Sequence, residues 1–76
     1  MIDIEMKIKY FNAESLKSVE YTETFNTDAT DMVTAQRYAS EMLDVEMKDA
    51  YEAGAMMDTF WYSYDFLVPQ ELMEAV

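Results

Sequence analysis

Polar and apolar residues alternate almost without interruption over the first eleven positions. Ile2, Ile4, Met6, Ile8 and Tyr10 fall on one side of an extended chain, and Asp3, Glu5, Lys7 and Lys9 on the other. A period of two marks a strand with one buried face. Asn12 to Ser15 is polar and turn-like. A second strand is predicted from about Lys17 to Phe25, with Val19, Tyr21 and Phe25 on one face and Ser18, Glu20, Thr22 and Thr24 on the other. Its β-branched and aromatic residues suit a pleated surface. The two strands read as an antiparallel hairpin closed by a loop of about four to six residues.

After Phe25 the period changes. Asn26, Thr27 and Asp28 offer side chains for a helix N-cap, and from about Ala29 the apolar residues recur at helical spacing. At about 100° per residue, Met32, Ala35, Ala39, Met42, Leu43, Met47, Ala50 and Ala53 share one broad arc. Asp31, Thr34, Arg37, Tyr38, Glu41, Asp44, Lys48, Asp49 and Glu52 occupy the opposite arc. Glu46 falls inside the apolar arc without an evident reason. Gly54 stands where a C-terminal cap is wanted, so a single long helix is predicted over roughly residues 29–53. Alternation returns from Thr59 to Val68, with Phe60, Tyr62, Tyr64, Phe66 and Val68 on one face and Trp61, Ser63, Asp65 and Leu67 on the other. Pro69 ends that strand and opens a short terminal helical turn, PQELMEAV.

The predicted fold is α+β in the order β-β-α-β, one domain over residues 1–76. A helix returning across the hairpin places the third strand beside the first, giving a three-stranded antiparallel sheet of order 2-1-3. That puts the most aliphatic strand in the centre. One helix covers one face of such a sheet. The other face is expected to show Asp3, Glu5, Lys7, Lys9, Glu20, Thr22, Trp61, Asp65 and Leu67, a mixed and mainly acidic surface with one large aromatic.

Composition narrows the chemistry. The chain has no cysteine and no histidine, which removes disulfides and the common nitrogen and sulfur metal ligands. Gly54 is the only glycine, so no glycine-rich loop exists to cradle a phosphate. No segment resembles a calcium loop. The expectation is no catalytic site, no metal and no cofactor. Half the residues are apolar and eleven are aromatic, enough to build a core. No apolar run approaches the roughly 18 residues of a membrane span, and Met1 is not followed by a basic and then apolar leader. A cytoplasmic location is expected.

Charge changes the picture most. The net charge is −11, of which residues 26–76 carry −9, with only Arg37 and Lys48 as bases. Such a surface repels nucleic acid and anionic membrane and suits a basic protein surface. The leading candidate contacts are Asp31, Glu41, Asp44, Asp49 and Glu52 on the solvent arc of the helix. Trp61 and Asp65 are added from the open sheet face. The methionines Met32, Met42 and Met47 fall on the apolar arc and read as core filler.

A chain of under a hundred residues with this charge and this β-β-α-β order resembles the small acidic proteins that bacteriophages and other mobile elements encode against host defences. These include anti-CRISPR proteins and DNA mimics that inhibit restriction enzymes. The resemblance implies carboxylates offered to the basic channel of a nucleic-acid-binding host complex, in the host cytoplasm. It rests on no shared motif. The alternative is an interaction or structural module that forms a homodimer through the third strand or the open face, its charge serving solubility.

Overall fold

The computed structural model describes residues 1–70. It contains β1 (Asp3–Asn12), β2 (Lys17–Phe25), α1 (Met32–Glu52), a 3-10 turn (Met57–Thr59) and β3 (Trp61–Leu67). The three strands form one antiparallel sheet in the order β2-β1-β3, as the alternation predicts. Ile8 shows the register: it lies opposite Tyr21 on β2 and Tyr62 on β3. The helical turn expected from Pro69 onward lies, past Gln70, outside the described residues.

The even positions of β1 make the core. Ile4, Met6 and Ile8 are at most 1% exposed, and Ile2 and Tyr10 are buried with them. The helix comes down on this row through alanines: Ala35, Ala39 and Ala50 are buried, while Met42 and Leu43 are half-buried. Small side chains let the helix axis approach the sheet closely, and dispersion contacts multiply at that separation. A helix of 21 residues runs about 31 Å, close to the length of a ten-residue strand. Met32 departs from the expected core role, being 41% exposed in the first turn of the helix.

The helix begins later than its periodicity suggests. Its N-cap is Asp31, with extended backbone (φ −136°, ψ 160°), rather than a residue of the Asn26–Asp28 segment. The linker before it has another use for its hydrogen-bonding groups. The Ile2 N–H donates to the Ala29 carbonyl at 2.8 Å, and the Thr27 N–H donates to Asp3 Oδ1 at 3.2 Å. The Thr27 hydroxyl donates to the Ile2 carbonyl and accepts from the Ala29 N–H. A chain tied to the start of β1 in this way cannot also enter a helix. Helical geometry resumes only at Asp31, where a side chain is free to cap it.

The far end of the helix closes as Gly54 predicts. Gly54 has φ +100°, and the Ala55 N–H donates to the Ala50 carbonyl while the Gly54 N–H donates to the Tyr51 carbonyl. This pair of bonds is the Schellman arrangement. Asn12 anchors the same corner. Its Oδ1 accepts from the Glu14 and Ser15 N–H groups, shaping the hairpin turn, and its Nδ2 donates to the Ala53 carbonyl at 2.9 Å. A buried amide with these partners carries little desolvation penalty.

Candidate functional site

Of the seven residues expected to contact a partner, four lie on α1, Asp31 caps its N-terminus and two lie on β3, and the sheet separates the β3 pair from the rest. Trp61 and Asp65 stand opposite Lys9 and Glu5, on the face turned away from the helix. They do not form one surface with Asp31, Glu41, Asp44, Asp49 and Glu52.

The helix acids divide further. Asp31 serves as the cap: its carboxylate accepts from the Thr34 N–H at 2.8 Å and from the Thr34 hydroxyl at 2.9 Å. These bonds hold its carboxyl below the usual aspartate range. Glu41, Asp44 and Glu52 are exposed on the side of the helix away from the sheet. Arg37 and Lys48 share that side, so it is mixed in sign. The Arg37 guanidinium lies over the Tyr38 ring, 5.7 Å from its centroid.

Asp49 belongs to a different grouping, at the junction of α1 with β2. Glu23 of β2 stands opposite Met6, on the sheet face that the helix covers. There it meets Glu46, whose carboxylate also accepts a hydrogen bond from the Tyr21 hydroxyl at 2.7 Å. The Glu23 carboxyl is pushed above the usual range by its hydrogen bond with Glu46, then by partial burial, and then by the charges of Glu46 and Asp49. Every charge in that set is negative. The Tyr21 hydroxyl is pushed up as well, by burial first and then by its bond to Glu46. Farther along the junction the Tyr38 hydroxyl donates to Asp28 Oδ1 at 2.8 Å, which raises its pKa too. An acidic flank thus runs from Asp28 to Glu23, Glu46 and Asp49, along the side of the helix that meets β2.

No family model, curated protein or solved structure matches this chain.

The flank was partly legible in the sequence. Glu23 shares the parity of Val19, Tyr21 and Phe25, and Glu46 sits in the apolar arc of the helix. Each acid is thus assigned to the sheet–helix interface of its own element, and the packing of α1 toward β2 brings them together. Among the described residues, no group of three or more acids is arranged to hold a metal ion. The flank is therefore a surface of carboxylates and hydroxyls, suited to cationic side chains.

The open sheet face also differs in detail from its expected character. It divides into two halves. Asp3, Glu5 and Asp65 make one end acidic, with Glu5 directly across from Asp65. Toward the other end, a concavity of about 720 Å³ is lined by Lys7, Lys9, Phe11, Glu20, Thr22 and Trp61, among others. Phe11 is a second aromatic on this face, and its odd position on β1 is the signal that places it there.

Proposed function

We propose that the protein acts by binding rather than by catalysis. It would occupy a basic, nucleic-acid-binding surface of a host complex, like the phage-encoded inhibitors that it resembles. The acidic flank of α1 and β2 is the observation that supports this reading. Glu23, Glu46 and Asp49 lie together in the free protein, and the Glu23 carboxyl is raised by its hydrogen bond with Glu46 first, then by partial burial, and then by the like charges of Glu46 and Asp49. An arginine or lysine placed among them relieves that repulsion. Free energy stored as repulsion in the free state is recovered on contact with a cationic groove, and the same charges speed the encounter. The exposed acids Glu41, Asp44 and Glu52 widen the negative surface around the helix.

The test is competition. Labelled DNA or RNA is bound to the target recovered from host lysate and titrated with the protein. Displacement is expected, with an association rate that falls steeply as sodium chloride is added. The double variant Asp44→Lys/Asp49→Lys should lose displacement while keeping its circular dichroism spectrum, since both side chains are exposed. Tight binding that leaves the nucleic acid in place would replace mimicry with an adaptor or allosteric role.

A further inference from the structure

β3 lies at an edge of the sheet, and among the described residues only β1 pairs with it. Among the described residues nothing pairs with the N–H and C=O groups of its outer side, a template for another strand. Edge strands are commonly protected by charges, proline or bulges. The sequence of β3, WYSYDFL, has one charged residue in seven and five large apolar or aromatic ones. Trp61 is 52% exposed, and Tyr62 and Leu67 are each 44% exposed. Tyr62 is on the helix-side face, yet the helix leaves nearly half of it open. It belongs to a ladder of rings down that face: the centroids of Phe60, Tyr62, Tyr64 and Phe66 follow one another at 6.5, 6.0 and 5.6 Å.

We propose that β3 pairs with β3 of a second copy of this chain, antiparallel about Tyr64, to make a continuous six-stranded sheet. The register carries the inference. In a two-fold antiparallel pair, opposed residues share a face, so the strand must cross itself at a residue. Crossing at Ser63 sets Trp61 against Asp65 of the second copy and uses five residues of the strand. Crossing at Asp65 sets that carboxylate against itself, a destabilising pair, and also uses five. Crossing at Tyr64, the midpoint, uses all seven. Trp61 then opposes Leu67, Tyr62 opposes Phe66, and Tyr64 opposes Tyr64. The Ser63 hydroxyl is placed to donate to Asp65. Every pair is apolar with apolar, ring with ring, or hydroxyl with carboxylate.

The other edge fits a second copy less well. β2 carries three charges, Lys17, Glu20 and Glu23, and flanks the acidic junction. Joining at β3 leaves β2 and that junction two and a half strand spacings, about 12 Å, from the dimer axis on each side. Two bodies of net charge −11 still repel, so added salt should tighten this association. It is independent of the acidic flank and leaves the flank exposed in both copies.

Sedimentation of the full chain over a concentration series tests the dimer. Twice the monomer mass at high concentration is expected, with a dissociation constant that falls as sodium chloride rises. A monomer at every concentration and salt level would overturn the proposal. The variant Trp61→Glu sets an acid opposite Lys9 of its own chain, an attractive pair that favours the fold, but opposite Leu67 of the second copy. It should weaken the dimer at least about tenfold, as loss of a buried aromatic anchor does. A dimer that it leaves unchanged would rule out this interface.

Register is read by disulfide formation, since the chain has no cysteine of its own. Under oxidation Tyr64→Cys should cross-link, because a residue opposed to itself lies within the Cα separation that a disulfide spans. Ser63→Cys and Asp65→Cys should not, being offset from their own copies by about 7–8 Å. Cross-linking of either of these instead of Tyr64→Cys would overturn the proposed register. Circular dichroism of each variant confirms that it is folded.

Discussion

Leu16 holds φ at +57° at the end of the hairpin turn, where a full side chain crowds the following carbonyl, and it is 74% exposed. The left-handed conformation costs about 1–2 kcal/mol for an L-residue with a Cβ, and glycine avoids most of that. Leu16→Gly should therefore stabilise the fold by about 0.5–1 kcal/mol, net of the extra chain entropy of glycine. Urea unfolding would measure it, and a loss of stability would mean that the leucine makes contacts that outweigh its strain. Glu23 gives a prediction of a different kind. Its folded carboxyl binds a proton more tightly than the unfolded side chain does at its ordinary 4.5. Between those two values the folded state holds more protons, so stability declines as pH rises from 4.5 to the raised value, above which this contribution is lost. Glu23→Gln should raise the melting temperature at neutral pH and flatten the gain seen on mild acidification. Equal pH slopes in the two proteins would show that the Glu23–Glu46 bond contributes nothing. Asp31 acts in the opposite sense: its carboxyl is held low as the helix cap, so its contribution fades only as pH falls below its ordinary 3.8.

At the scale of elements, the close approach of α1 to β1 depends on alanine where larger residues are common. Ala39 is 0% exposed, so a larger side chain there has to be accommodated inside the fold. Ala39→Leu should cost about 1–3 kcal/mol through overpacking, with no gain in helix propensity to offset it because alanine is already the better helix former. Ser40→Ala, one position away and exposed, should be neutral or slightly stabilising. Denaturant midpoints of the two variants make the comparison. Strand periodicity was legible almost residue by residue, because one buried face forces strict alternation. The helix was legible in period but not in start. Its first turn competes with hydrogen bonds from residues 27–29 to the start of β1, and such long-range pairing leaves no local trace.

At the scale of the molecule, charge and shape pull apart. Sixteen acids against five bases leave a repulsion that the unfolded chain relieves by expanding. Salt screens such repulsion beyond a Debye length of about 8 Å at physiological ionic strength. The melting temperature should rise between low and moderate sodium chloride at a protein concentration where the chain is monomeric. A fall would mean that specific attractive pairs outweigh the overall field. Sulfate is unsuitable for this test because it also strengthens apolar burial. Among the described residues no helix is long and apolar enough to cross a membrane.

Order of elements and the identity of the buried face follow from the spacing of side chains along the chain, and the strand order β2-β1-β3 from the return of the helix across the hairpin. The period of a strand or helix is a local property that burial imposes on every residue in turn. The candidate site is different in kind. Glu41, Asp44 and Glu52 could be placed on an exposed arc from spacing alone. The meeting of Glu23 with Glu46 and Asp49 required the helix to settle toward β2, which depends on the packing of Ala35, Ala39 and Ala50 against β1. The separation of Trp61 and Asp65 from the helix acids required the sheet to stand between them. Local periodicity says which way a side chain points from its own element, and only the packing of elements decides which side chains then face one another.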